Sequence, residues 1–217
     1  IIGIRGDKMK TNEERLEELL TFLSGLSHIH SEEIPNIPLY MDQVTTFMDE
    51  HLKDSRRRQE DKVLTKTMIN NYAKNNLLPP PEKKKYSKNH MLMLIFIYYF
   101  KSLLSFNDIE EIFRPITRRH FSGEASGLKL EDIYNEVFTL EEEQMAHLKE
   151  DIRQKYEKAS RTFSNYPVEG EDLEYLRLFS LICELSFDVY LKKQMIEMIA
   201  DDLRANQPEE VGRKKKL

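Results

Sequence analysis

The 217-residue chain carries 33 Lys/Arg against 38 Asp/Glu, a formal net charge of −5, with 40% hydrophobic and 33% charged residues. That balance fits a charged, mostly helical chain long enough to bury a real core, and Cys183 as the single cysteine excludes a disulfide framework or a cysteine-based zinc cluster. No secretory h-region opens the sequence, and the apolar run Met91 to Phe100 is far short of the roughly 20 residues that span a bilayer, so a cytoplasmic protein without a membrane partner is expected.

Only 7 Gly and 8 Pro are present, three of the prolines being Pro79, Pro80 and Pro81, so regular elements must be long. Helical periodicity dominates and strand signals are scarce; the expected fold class is all-α with at most a short hairpin. Thr11-x-x-Glu14 is a capping-box pattern, and Leu16, Leu19, Leu20, Leu23 and Leu26 follow at helical spacing, predicting an amphipathic helix over 12–26. SHIHSEEIPNIPLY, with Pro35 and Pro38, reads as an extended connection. A second helix is expected from near Leu39, with Tyr40, Val44, Phe47, Met48 and Leu52 along one side. KDSRRRQEDK is then an exposed charged loop or a frayed helix end.

A third helix is predicted over Lys66 to Leu77. Thr65 is a good N-cap, and Leu64 with Ile69 can form a hydrophobic staple. Asn76 stands where a left-handed C-cap is wanted, and three prolines forbid continuation. Ser87 is expected to cap a helix over 88–104 that is apolar nearly all round and therefore buried. Ser105-x-x-Asp108 caps another, with Ile109, Ile112 and Phe113, stopped by Arg114-Pro115. GEASG at 123–127 reads as a boundary. Beyond it a short helix carries Leu130, Ile133, Tyr134 and Val137, and Thr139-x-x-Glu142 is expected to cap a longer one. Met145, Leu148, Ile152, Tyr156, Ala159 and Phe163 form a narrow seam along it. YPVEGED breaks that helix, a final one runs from about Asp172 to Ala205, and residues 207–217 read as a disordered tail.

Charge is spread unevenly. From Lys53 to His90 there are eleven Lys/Arg against four Asp/Glu, a local +7 that leaves −12 for the remainder. A local basic field of this kind can steer a polyanion. On a helical wheel of 66–77, Ile69, Tyr72, Ala73 and Leu77 share one face, while Lys66, Thr67, Asn70, Asn71 and Lys74 share the other. The second set suits a major groove: Asn bonds bidentately to adenine, Thr offers a hydroxyl and a methyl, and Lys reaches guanine or phosphate. A solvated helix face accounts for the same residues alone. It does not account for Lys83, Lys84 and Lys85 placed straight after the proline turn, where they can grip phosphates together with Lys88.

The run TMINNYAKNNLLPPPEKKKYS resembles the MerR-type winged helix. In that family the second helix of a helix-turn-helix carries an Arg-Tyr-Tyr element, then Gly-Leu-Leu-x-Pro, then a wing ending in Tyr-Ser. Tyr72, Leu77, Leu78, Pro79, Tyr86 and Ser87 match, and SFNDIEEIF resembles the helix that follows. Asn70 departs from the family's backbone-contacting Arg, and Asn76 from its Gly. More closely, IPLYMDQV with LTKTMINNYAKNNLLPPPEKKKYS resembles a bacterial family catalogued as domain of unknown function 1836, over about residues 33–113. That resemblance implies a MerR-like winged helix-turn-helix with a small wing, and DNA binding.

The expected organisation is an N-terminal helix and connection at 1–32, a winged helix-turn-helix domain at 33–122, a C-terminal helical region at 123–206 and the tail. About a dozen residues separate the first two helices of the motif, where three or four are usual. Arg56, Arg57 and Arg58 lie in this insertion, either as an extra backbone-contacting loop or on a longer first helix. No phosphate loop, nucleophile elbow, HExxH or CxxC is present, and Glu143 with His147 is half a metal site at best; neither enzyme nor cofactor is expected. The seam from Met145 to Phe163 can pack within the chain, pair with a second chain to form a homodimer, or enclose an effector pocket with Phe163, Tyr175 and Phe179. The expected function is a DNA-binding transcriptional regulator with double-stranded DNA as partner; the alternative is a non-enzymatic helical protein-interaction module that has lost DNA binding.

Overall fold

The computed structural model describes residues 10–58, 60–122 and 127–206. The expected boundary at 123–127 lies almost wholly outside these residues, and the expected tail at 207–217 entirely so. Seven α-helices are present among the described residues: α1 (Asn12–Gly25), α2 (Met41–His51), α3 (Lys66–Lys74), α4 (Lys88–Phe100), α5 (Phe106–Phe121), α6 (Leu130–Ser160) and α7 (Gly170–Ala205). Two short strands, β1 (Leu39–Tyr40) and β2 (Lys85–Tyr86), pair antiparallel with Leu39 opposite Tyr86 and Tyr40 opposite Lys85. The protein is all-α with a minimal sheet.

The chain groups into two units, and each draws on distant stretches of sequence. One comprises residues 29–136 with the segment from Leu191 onward; the other comprises the segment up to His28 with residues 137–190.

In the first unit the core is organised on α4, whose residues Met91 to Ile97 are all buried. A helix apolar on every side has no face to give to water. α5 lies against it, with the Phe100 and Phe113 rings stacked at 5.4 Å, and Tyr134 of α6 meets Phe96 edge-on at 5.4 Å. The Tyr134 hydroxyl donates to the Ile29 carbonyl. Ile29 and Ile34 are both 2% exposed, so the connection 27–38 anchors two core side chains around a 3-10 turn at Ser31–Glu33.

Two expected breaks do not occur. α5 runs through Pro115 to Phe121. Proline there forfeits its own N–H bond to the Glu111 carbonyl, but tertiary contacts hold the helix on both sides of it. Phe113 packs on Phe100, Phe121 meets the His90 ring at 4.8 Å, and Asn89 Nδ2 donates to the His120 carbonyl. α6 is likewise one helix from Leu130 to Ser160, so Thr139 is an interior residue and not a cap. Between Lys129 and Ser160 there is neither Gly nor Pro to end it.

In the second unit α1 begins on the expected capping box: Thr11 Oγ1 accepts from Glu14 N–H, and Glu14 Oε2 accepts from Thr11 N–H at 2.7 Å. The later part of α6 and the first part of α7 are antiparallel. Thr162 meets Ser180, Lys158 meets Glu184 and Lys155 meets Asp188, so residue number falls on one helix as it rises on the other. Ile152 and Ala159 of the seam are buried, as is Leu181 of α7, while Met145, Leu148, Tyr156 and Phe163 are half-buried. The seam therefore packs within the chain along this stretch. α7 nevertheless exposes a long series of large apolar residues, among them Tyr175, Phe187, Leu191, Met195 and Met198.

Candidate nucleic-acid interface

α3 is placed by its two ends. At the start, the Thr65 hydroxyl accepts from Met68 N–H at 3.1 Å, and Leu64 and Ile69, the staple pair, are 2% and 0% exposed. At the end, Asn76 has φ 57°. Leu77 N–H reaches the Tyr72 carbonyl at 2.9 Å and Asn76 N–H the Ala73 carbonyl at 3.4 Å, the paired bonds of a Schellman motif. This closes the helix at Lys74, three residues before the expected Leu77, because Leu77 and Leu78 turn back as buried residues.

The result is a helix with two unlike faces. Ile69 and Tyr72 are buried, and Tyr72 packs edge-on against Phe106 at 6.0 Å. Burial pushes the Tyr72 phenol above its ordinary pKa. Lys66, Thr67, Asn70, Asn71 and Lys74 are all exposed. Asn71 lends its backbone carbonyl to the Asn75 amide, which leaves its side chain outward. Lys66 forms an ion pair with Asp42 at the start of α2 in which both side chains are largely exposed, 58% and 78%; such pairs are weak and exchange readily.

The segment after α3 is a hairpin. Lys85 N–H donates to the Glu82 carbonyl at 2.9 Å, and Glu82 and Lys85 form a bridge. The residues between them, Lys83 and Lys84, have φ of 49° and 64°, the left-handed backbone that a type I′ turn demands of both central positions. Asn-Gly is the usual pair there; an L-residue with a long side chain is strained by about 1–2 kcal/mol. Lys83, Lys84 and Lys85 are exposed, and Lys85 Nζ lies 5.1 Å from the Tyr40 ring centre, a cation–π contact across the two strands. Lys88, the first residue of α4, is held differently: its Nζ donates to Glu131 at 2.7 Å and its side chain is only 15% exposed.

His90 secures the base of this hairpin. Its Nδ1 accepts from Ser87 N–H at 3.1 Å, which leaves the neutral ring's proton on Nε2. Tyr86 and Phe121 pack edge-on against it at 5.6 and 4.8 Å. Burial depresses the imidazole pKa below 6.5, while the Pro80 and Pro79 carbonyls pull it the other way.

The insertion between α2 and α3 is not a prolonged helix, since α2 ends at His51 and a 3-10 turn follows at Lys53–Ser55. It is a closed excursion pinned by residues that sequence reasoning passed over. Asp49 Oδ1 accepts from Val63 N–H at 3.3 Å and meets Arg56 Nη2 at 3.2 Å, and the same Arg56 nitrogen donates to the Asp49 carbonyl. Lys101 Nζ donates to the Val63 carbonyl at 2.8 Å, and its burial holds its pKa below the usual lysine value. Val63 and Leu64, each 2% exposed, are the apolar pair whose adjacency in a charged stretch signals the anchor. Arg57 and Arg58 project from the excursion and are exposed, whereas Arg56 is folded back.

The expected site residues thus fall into two groups. Thr67, Asn70, Asn71, Lys74, Lys83, Lys84, Arg57 and Arg58 face solvent with no ion pair among the described residues. Lys66, Arg56 and Lys88 have acidic partners, and Lys85 rests on Tyr40. No described helix is long and apolar enough to cross a membrane. No curated protein and no solved structure matches the chain. Residues 29–137, which begin at the Ile29 anchor and contain α2 to α5 with the hairpin, match the family described as domain of unknown function 1836, and the chain belongs to that family.

Proposed function

We propose that the chain is a DNA-binding transcriptional regulator with a MerR-like winged helix-turn-helix: α2 and α3 as the helix pair, α3 laid in the major groove, and the Glu82–Tyr86 hairpin as the wing. The observation that carries this reading is the one-sided display on α3, with Lys66, Thr67, Asn70, Asn71 and Lys74 all outward over a buried Ile69 and Tyr72. Asn70 and Asn71 have the donor and acceptor geometry to read adenine, and Thr67 to meet a thymine methyl. Lys83, Lys84 and Lys85 supply phosphate contacts that fix register and carry no sequence information. A nine-residue helix reaches few bases, so a dimer reading two half-sites suits the module. The uncovered apolar residues of α7 support such a dimer.

Fluorescence anisotropy with random duplex DNA at low and moderate salt tests this. Lys66, Lys74, Lys83, Lys84 and Lys85 as phosphate partners give a log–log salt slope of about −4.5; Lys88 is left out because its side chain is largely buried and its ammonium is held by Glu131. Replacing Lys83, Lys84 and Lys85 by Ala should abolish the steep dependence. A second reading, a helical protein-interaction module without DNA binding, draws on the same α7 residues, of which Met195 and Met198 are 62% and 71% exposed. Absence of binding at low salt selects it.

A further inference from the structure

A cavity apart from α3 and the hairpin lies in the unit built from α1, the later part of α6 and the first part of α7. Its volume is about 460 Å³, within the range of small-molecule pockets. Its apolar walls come from all three helices: Leu19 and Phe22 from α1, Tyr156 and Ala159 from α6, Leu178 and Leu181 from α7. Of these, Ala159 and Leu181 are buried, at 4% and 5% exposed. Well-packed helices do not leave such a space empty of side chains, yet Phe22 remains 52% exposed beside it.

The polar groups at the rim say what would fill it. Most of them are already satisfied. Asn12 Nδ2 donates to Glu174 Oε2 at 2.8 Å and to the Glu174 carbonyl at 3.0 Å; Glu18 holds Lys10 at 2.6 Å; Arg15 donates to the Lys10 carbonyl and to Asn12 Oδ1. Two donors are not. Arg177 Nε is buried without a hydrogen-bond partner, while its Nη1 meets Glu174 at 3.4 Å. The Tyr156 hydroxyl has no hydrogen-bond partner among the described residues. A buried unmet donor such as Arg177 Nε is costly, and the half-buried Tyr156 lines the same apolar space.

The sign of the local field narrows the choice. The Tyr156 phenol is pushed above its ordinary pKa by burial and by the Glu13 and Glu174 carboxylates, with Arg177 opposing. The hydroxyl therefore stays a donor, and net negative potential disfavours a carboxylate beside it. We infer that this cavity binds a neutral, largely apolar small molecule whose carbonyl oxygen, of the amide, ester or lactone class, accepts from Arg177 Nε and Tyr156 Oη. This inference stands independently of DNA binding.

Titration calorimetry of the full chain with octanamide, octanoate and octylamine tests it, alongside the variants Tyr156→Phe, Arg177→Lys and Ala159→Leu. Octanamide should bind best of the three. Arg177→Lys keeps the charge but loses the Nε donor, and together with Tyr156→Phe should weaken octanamide by about tenfold or more, the loss expected when hydrogen bonds to a bound acceptor go unmade. Ala159→Leu should block entry, with an unchanged circular dichroism spectrum showing that the fold persists. Preference for octylamine, or octanamide binding indifferent to all three substitutions, overturns the assignment.

Discussion

Replacing Lys83 by Asn and Lys84 by Gly separates what the hairpin costs from what it does. Both lysines hold left-handed backbone, at φ 49° and 64°. Each such position costs an ordinary L-residue roughly 1–2 kcal/mol. Asn tolerates the conformation and Gly adopts it freely, though Gly gains freedom in the unfolded chain worth about 0.5–1 kcal/mol. The double variant should therefore be more stable by about 1–2 kcal/mol, which for a chain of this length raises the melting temperature by about 3–6 °C. The same change deletes two of the charges assigned to phosphate, so the salt slope should flatten from about −4.5 to about −2.7. Differential scanning calorimetry and anisotropy on one protein sample read both quantities. A lower melting temperature would refute the strain argument. Higher stability with an unaltered salt slope would show that these lysines touch no phosphate.

Three further changes probe the elements that aim α3 and the hairpin. Thr65→Ala removes the acceptor for Met68 N–H and should cost about 1 kcal/mol, read as a lower urea midpoint, with Thr65→Ser retaining most of it. Asn76→Gly relaxes the φ 57° C-cap and should stabilise by up to about 1 kcal/mol, whereas Asn76→Ala should destabilise. For His90 the folded pKa is depressed by burial, so its contribution is complete above the unfolded value near 6.5 and is lost as pH falls from there toward the folded one. Wild type should lose stability through that acidic window, and His90→Gln should lose less across it, measured as melting temperature against pH.

Features that depend on near neighbours in sequence were legible. The Thr11 and Thr65 caps, the Leu64–Ile69 staple, the left-handed Asn76, the all-round apolar α4 and the two faces of α3 each follow from side chains within one or two turns. What was not legible depends on partners far along the chain. Pro115 read as a stop because the aromatic contacts at Phe113 and Phe121 that carry α5 past it come from α4. Ile29 and Ile34 read as connection although both are buried, and the residue that holds the Ile29 carbonyl, Tyr134, lies 105 residues away. The pairing of Leu39–Tyr40 with Lys85–Tyr86 was hidden for the same reason, two residues being too few to show alternation. Of the twelve candidate contacts, the sequence could not separate Lys88, Arg56 and Lys66 from the rest, since Glu131, Asp49 and Asp42 meet them only after folding.

That separation bears directly on the arginines of the insertion. The sequence offers Arg56, Arg57 and Arg58 as one basic run, yet Asp49 folds Arg56 back and leaves its two neighbours outward. Asp49 and Lys101 also pin the far end of the excursion at Val63, so the arginines are presented from a fixed loop and lose less entropy on meeting a phosphate. If that loop lies on the DNA backbone, it adds two counterion-releasing contacts to the five lysines, and the wild-type slope should approach about −6.3, falling by about 1.8 in an Arg57→Ala/Arg58→Ala variant. Sequence preference should be unchanged, because phosphate contacts carry no base information. Arg56→Ala is the control for position: it removes no outward charge, but it releases the Asp49 clamp and should loosen the loop, detectable as faster amide exchange at Val63. A slope near −4.5 that ignores Arg57 and Arg58 would place the insertion off the duplex and leave the lysines as its sole electrostatic grip.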